Sequence, residues 1–408
     1  MRVIIWGINY APEITGIAPH NVGLCEFLRS REDDVEMLTT FAYYPAWRKR
    51  AEDRGKLFRT DEINGVPVHR CWHFVPSRVS AWKRIVHEGT FVLSSTIRGL
   101  FLKRPDVYVI ASPPLLLGAA AWLLGAIKGA PFVFHVQDLQ PDAAVGLGML
   151  RPSLLTWALY GLERFAYKRA ARVSGISHEI VEAFQRKGVP DNKIILFPNT
   201  VVVPDAIELP AKGAFRAANG FKSDEFLAVY AGNIGVKQGL NILLDAAAIL
   251  RREPSIRIIL CGDGAERSAL EESVVERQLN NVTMFPLKFG REYQELLVDA
   301  DISLITQQSG SGNAFFPSKL LVTLAHFSPV LTVADEGSAL ARAIKEGGFG
   351  LNVPPGNAQA IADALCDLST RRDQLQEWGR AGRDYVKQFE QQPVMERFAR
   401  ELETILKS

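Results

Sequence analysis

The richest chemistry in the chain lies where an apolar run breaks into glycines and a lysine. In residues 227–240, LAVYAGNIGVKQGL, a strand-like stretch leads into a loop holding Gly232, Gly235 and Gly239 and then into a helical pattern. Glycines let a backbone approach a phosphate, the free N–H groups of the next helical turn point at it, and Lys237 adds a full positive charge. A diphosphate suits such a loop. A plain glycine-rich turn with a solvated lysine is the alternative, but the lysine lies inside the loop rather than on a helix face. The spacing is not GxxxxGK[ST], which disfavours a nucleotide triphosphatase.

Other residues add weaker signals. Gly16 follows the first strand-like run and precedes a helical stretch, where a backbone can lie close to a ligand. In FVFHVQDLQPD, His135 closes an apolar strand, and Asp138 and Asp142 follow on what reads as a loop; either carboxylate could accept a hydrogen bond from a substrate hydroxyl. A satisfied core histidine and two helix caps are the plainer explanations. LCGDGAE, around Gly262, is a second glycine turn after a strand, yet it lacks the third glycine of GxGxxG. Pro317, Ser318 and Lys319 read as a helix start whose free N–H groups and positive end can hold a phosphate. Asp299 and Asp301 spell DxD, but they join a helix end to a strand, so capping rather than metal binding accounts for them.

The elements that must position these residues follow from hydrophobic runs. Residues 3–6, 35–39, 68–71, 107–111 and 132–135 read as strands in the first half, and 227–230, 256–261, 282–285, 302–305 and 329–332 in the second, with helical stretches such as 240–252 between them. Strand–helix repetition implies α/β architecture: two Rossmann-like, doubly wound parallel-sheet domains facing across a cleft. Residues 199–212, with two prolines and no helical period, read as the connection. The expected domains are 1–204 and 205–384, with a helix over 385–408 packing back on the first domain and broken near Pro393.

Composition agrees. The 408 residues are 47% hydrophobic and 23% charged, enough for two cores and unlike a disordered or coiled-coil chain. Forty-seven basic against 45 acidic residues give a net charge of +2, so no global field draws the protein to nucleic acid. Four scattered cysteines (Cys25, Cys71, Cys261, Cys366) argue against a disulfide framework and structural zinc, and fit a reducing cytoplasm. The start shows no secretory pattern. The longest apolar run, residues 113–127, is short of the roughly 20 residues of a membrane-spanning helix and reads as a buried helix.

GINYAPEITGIA, HVQDLQPDAAVGLGM, FPNTVV, AGNIGVKQGL and PSKL, in that order, resemble the blocks of retaining glycosyltransferases of the GT-B fold, family four. The resemblance implies a nucleotide-sugar donor as substrate, with no cofactor and no metal. It places Thr15, Gly16, Asn199, Gly232, Asn233, Lys237, Gly262, Leu287, Pro317, Ser318 and Lys319 on the donor, His135, Lys237 and Asp138 at the reacting centre, and Glu13 and Asp142 toward the acceptor. Two departures stand out. Many members carry an arginine where Asn233 stands, so Lys237 is left with more of the diphosphate charge. Many also carry two glutamates eight positions apart after the strand at 302–305; depending on alignment, Ala314 and Val322 or Gly312 and Leu320 occupy those places here, and Lys319 is the candidate replacement.

The expected function is sugar transfer, with retention, from GDP-fucose or a UDP-sugar to a lipid-linked oligosaccharide in bacterial exopolysaccharide biosynthesis. Basic and apolar residues interleaved from Trp82 to Arg104 suit a peripheral contact with anionic lipid at the inner membrane face. A sugar-nucleotide 2-epimerase of the same fold and a non-catalytic sugar-nucleotide-binding protein are the alternatives. An oxidoreductase is disfavoured, because no GxGxxG follows either half's first strand.

Overall fold

The computed structural model describes residues 1–14, 16–44, 46–77, 80–146, 153–310 and 319–407. By packing, the chain forms two units, Met1–Asn199 with Gln392–Ser408, and Thr200–Gln391. The first junction thus falls at 199/200, against the boundary near 205 read from the prolines.

The first unit holds eight strands: β1 (Arg2–Gly7), β2 (Asp34–Thr40), β3 (Phe58–Ile63), β4 (Val66–Cys71), β5 (Val107–Ser112), β6 (Phe132–Val136), β7 (Arg172–Gly175) and β8 (Ile194–Leu196). They lie in the order β3-β4-β2-β1-β5-β6-β7-β8, parallel throughout except where β3 pairs antiparallel with β4. Strands β1, β5 and β6 are buried almost end to end, as strands covered on both faces by helices must be, which is why their sequences are unbroken aliphatic runs. By contrast β3 (FRTDEI) is a charged edge strand with no core face, a composition that keeps an open edge from pairing with other chains.

The helix Gln391–Lys407 buries Val394, Met395, Phe398, Ala399, Leu402 and Ile405 in this unit's core. Phe398 stacks on Phe197 with ring centres 3.9 Å apart and planes 7° from parallel. Pro393 does not break this helix. It occupies the first turn, where no intrahelical N–H is needed, and the break precedes it at the short 3₁₀ turn Lys387–Phe389. Tyr385 and Phe389, read as part of the same amphipathic helix, pack instead in the core of the second unit.

The second unit's sheet is wholly parallel: β9 (Phe226–Asn233), β10 (Ile256–Asp263), β11 (Val282–Phe285), β12 (Ile302–Thr306), β13 (Val330–Val333) and β14 (Gly350–Val353), ordered β11-β10-β9-β12-β13-β14. The order reverses between β9 and β12, so the loops leaving their carboxyl ends diverge and open a crevice. The helix expected over 240–252 is α-helical over Asn241–Ile249 and tightens to 3₁₀ over Leu250–Arg252. The apolar run at 113–127 becomes the helix Leu117–Lys128, one side of which is buried and the other exposes Trp122, Leu123 and Ile127. No helix among the described residues is long and apolar enough to cross a membrane.

Candidate functional site

The crevice of the second unit is built by the ends of β9, β10, β12 and β13. Tyr230, deep on β9, donates its hydroxyl to the carbonyl of Asn233 at 2.5 Å and so ties down the strand's exit. Asn233 Nδ2 in turn donates to Gln238 Oε1 at 3.3 Å, bridging the loop that carries Lys237 on a short 3₁₀ turn, Val236–Gln238. The N–H of Gln308, beyond β12, donates to the carbonyl of Lys237 at 2.9 Å, so the lysine's backbone is fixed from the neighbouring strand.

Two glycines owe their identity to the local backbone, one to close approach and one to a positive φ. At Gly262 a Cβ would lie 1.9 Å from the carbonyl oxygen of Gly232, its register partner on β9. The loops after β9 and β10 then cross: Ile234 N–H donates to the carbonyl of Asp263 at 2.8 Å, and Glu266 N–H to the carbonyl of Ile234 at 3.1 Å. Gly262 therefore packs backbone on backbone, which accounts for a glycine there without any nucleotide. Gly232 has φ of +144°, and the nearest atoms to a Cβ built there belong to the Lys319 side chain, at 3.6 Å.

Lys319 is the most unusual group in the crevice. Its Nζ sits 3.6 Å from the centre of the Tyr230 ring, is buried, and has no hydrogen-bond partner among the described residues. Burial pushes its pKa down to about 7. A cation–π contact offsets part of the desolvation of an ammonium but gives it no acceptor, and an orphaned buried cation next to a glycine turn is a place prepared for an anion. Thr306 and Gln307, at the end of β12, are likewise buried, and the Thr306 hydroxyl and both amide atoms of Gln307 lack partners among the described residues. They border a cavity of about 270 Å³ that also touches Gln238, Gly239, Ser309 and Val333.

The sequence expectations divide unevenly. Gly232, Asn233, Lys237, Gly262 and Lys319 are brought together at the ends of β9 and β10, and Leu287 lies half-buried on the loop after β11. Thr15, Pro317 and Ser318 lie outside the described residues, as do Gly312 and Ala314. Gly16 turns between β1 and the next helix at φ +66°. Asn199, buried, is the last residue of the first unit before the chain crosses over. Asp138 is half-buried on the turn after β6.

Three of the expected residues are engaged within the fold. His135 is a packed core residue, not an open catalytic ring: Nδ1 meets Ser174 Oγ at 2.9 Å, Nε2 meets the Gln137 amide nitrogen at 2.7 Å, and the ring lies 5.0 Å from Phe197. Burial pushes its pKa down to about 3, so it is neutral with both nitrogens used. Glu13 pins a loop of its own unit. Its Oε1 accepts the N–H groups of Tyr43 and Tyr44 at 2.7 and 2.8 Å, and Oε2 accepts from Asn9 at 2.7 Å, pinning the loop after β2. Asp142 is held in an ion pair with Lys187, which also bonds Glu163 at 2.7 Å. In the DxD string, Asp299 accepts the N–H groups of Gly213 and Arg216, and Asp301 pairs with Arg216 and Arg372 and accepts the Leu227 N–H.

Tyr230, Thr306 and Gln307 were not singled out from sequence. The available signal was polarity at the carboxyl end of two otherwise apolar strands, where ligands of open α/β sheets bind.

Residues 15–200 match the family described as Glycosyl transferase 4-like domain, and residues 211–385 that described as Glycosyl transferases group 1. WcaI of Escherichia coli (strain K12), named as a colanic acid biosynthesis glycosyl transferase, is 30% identical over 373 residues, 90% of this chain and 91% of that protein. WbjE of Pseudomonas aeruginosa, also named as a glycosyltransferase, is 28% identical over 65% of this chain and 67% of its own. Among solved structures, sucrose-phosphate synthase from Thermosynechococcus elongatus superposes with a TM-score of 0.78 at 18% identity over 100% of both chains. Anabaena Alr3699/HepE in complex with UDP-glucose does so with a TM-score of 0.72 at 14% identity, covering 99% of this chain and 100% of that one. Paired sheets, a cation-bearing glycine crevice in the second and family matches across both halves lead to one assignment: the chain belongs to the family 4 glycosyltransferases of the GT-B fold.

Proposed function

We propose that this glycosyltransferase moves a sugar, with retention of anomeric configuration and without a metal, from GDP-fucose or a UDP-sugar to a lipid-linked oligosaccharide in exopolysaccharide assembly. The observation that carries the donor half is Lys319, a buried ammonium with no partner among the described residues, beside the glycine loop that bears Lys237. As the glycosidic bond breaks, negative charge grows on the β-phosphate of the leaving nucleoside diphosphate. Lys319 and Lys237 stabilise that charge electrostatically, the kind of contribution that commonly dominates catalysis. The departing phosphate oxygen takes the acceptor's proton on the face it leaves, which gives retention. Asp138 is the carboxylate of the first unit left to orient the acceptor hydroxyl, since Glu13 and Asp142 are engaged. The names of WcaI and of the UDP-glucose complex of HepE support the pathway and the donor class.

A lipid-linked acceptor is supported by the surface of the first unit. The helix Ala81–Phe101 exposes Trp82, Ile85, Leu93, Ile97, Leu100 and Phe101, a stripe at helical spacing. It packs on the helix Leu117–Lys128, which packs on Leu154–Arg169, where Leu154 and Trp157 are also exposed. On this face Arg169 lies over the Trp122 ring at 5.3 Å. Exposed aromatic and aliphatic residues among cations suit the headgroup layer of an anionic bilayer, and this face is the membrane contact of the reading.

The test is calorimetric titration with GDP-, UDP-, dTDP- and ADP-sugars, followed by turnover with a lipid-diphosphate oligosaccharide and determination of the product anomer by NMR. Binding and transfer with retention are expected. Donor epimerised in the absence of acceptor would make the chain a 2-epimerase, and binding without turnover a sugar-nucleotide-binding protein.

A further inference from the structure

Gln307 has a buried carboxamide that nothing in the donor-diphosphate reading uses. The residue is 3% exposed, and neither its Oε1 nor its Nε2 has a hydrogen-bond partner among the described residues. Its neighbour Thr306, also 3% exposed, leaves its hydroxyl unmatched in the same way. Buried polar atoms are nearly always bonded, so three orphans on two consecutive residues mark a place where bonds are completed by something else. Both residues line the cavity of about 270 Å³ at the switch in strand order, below the size of a drug-sized pocket and suited to a single sugar ring.

The chemistry of the two residues narrows the occupant. A carboxamide offers one acceptor and two donors with no charge, and a hydroxyl offers both roles, which matches neutral hydroxyl groups rather than a phosphate. The backbone places this pair beside the anion site: Gln307 N–H is fixed on the Val333 carbonyl at 2.8 Å, and the next residue, Gln308, is bonded through its N–H to the Lys237 carbonyl at 2.9 Å. In a nucleotide-sugar the group attached directly to the β-phosphate is the sugar. We infer that Gln307, with Thr306, is a specificity-determining contact that binds hydroxyl groups of the transferred sugar through neutral hydrogen bonds. The inference rests on the donor-site reading above.

The experiment compares matched probes, UDP with UDP-glucose and GDP with GDP-fucose, by calorimetry on the full chain and its variants Gln307→Leu, Gln307→Glu and Thr306→Val. Expected for Gln307→Leu is a loss of roughly tenfold or more in affinity for the nucleotide-sugar that the unaltered protein binds, with the matching nucleoside diphosphate held as before. Thr306→Val shows a smaller loss of the same pattern, and it decides the question with Gln307→Glu should Gln307→Leu fail to fold. Equal loss for the diphosphate and its sugar would place Gln307 on the base or phosphate and overturn the inference alone. Unchanged affinity for every probe in all three variants would overturn it too. Failure of the unaltered protein to bind any of the four probes, by contrast, would remove the donor-site reading itself and the inference with it.

Discussion

The Lys319 ammonium lies 3.6 Å above the centre of the Tyr230 ring, and the hydroxyl of that same tyrosine is bonded to the Asn233 carbonyl where β9 opens into the glycine loop. One aromatic side chain thus supports both the cation and the backbone turn beside it. The arrangement sets a basic side chain beside Gly232, one residue before Asn233.

Because burial pushes the Lys319 pKa down to about 7, donor binding should be linked to pH. Above pH 7 the free protein carries a neutral amine there, whereas a bound diphosphate favours the ammonium, so binding takes up a proton and weakens as pH rises. The slope is at most roughly tenfold per pH unit, and below pH 7 this group contributes none. Calorimetry in buffers of different ionisation enthalpy reads the uptake directly. Lys319→Arg, always charged, should lose the slope; an unchanged slope in that variant assigns the titration to another group.

Lys237→Ala should weaken nucleoside-diphosphate binding by tenfold or more, since the lysine stands within the glycine loop and its backbone is fixed from beyond β12. Asp299→Ala should leave that affinity alone. It removes the acceptor of the Gly213 and Arg216 N–H groups at the start of the helix Ala214–Asn219, at a cost of about 1–3 kcal/mol in denaturant unfolding. A large affinity loss in Asp299→Ala would restore a donor role to the DxD string.

Gly262→Ala should be among the most damaging single substitutions in the second unit. The added methyl falls 1.9 Å from the Gly232 carbonyl oxygen, a main-chain atom of the paired strand that cannot swing aside. A loss above roughly 3 kcal/mol, or failure to fold, is expected. Gly161→Ala, in the helix Leu154–Arg169 with nothing within 4 Å, should instead gain up to about 1 kcal/mol. Comparable melting temperatures for the two variants would contradict the close packing of the crossing loops.

Phe101→Glu combined with Trp157→Glu should reduce sedimentation with vesicles containing anionic phospholipid while leaving donor affinity unchanged, because residues 80% and 77% exposed contribute little to folding. Binding of the unaltered chain should also fall with added salt and be weak on zwitterionic vesicles. Sedimentation unaffected by the double substitution would move the contact off this face.

Sequence by itself determined the architecture and the glycine loop that carries Lys237. The strands buried on both faces, β1, β5, β6, β9, β10 and β12, are written as mostly apolar runs, and the glycines with Lys237 directly after β9 carry their chemistry in local order. The strands it did not reveal, β3, β7, β8 and β14, are an edge or only three to four residues long, and exist through pairing with neighbours rather than through any pattern of their own. Side-chain roles were decided only in three dimensions. His135, Glu13 and Asp142 have the residue types of a reacting centre, yet Ser174, the N–H groups of Tyr43 and Tyr44, and Lys187, each from a distant part of the chain, engage them within the fold. Lys319, Thr306 and Gln307 show the converse, since what makes them candidates is the lack of any such partner among the described residues. Local sequence records which groups a residue offers; whether burial leaves them bonded or waiting depends on what the fold packs against them.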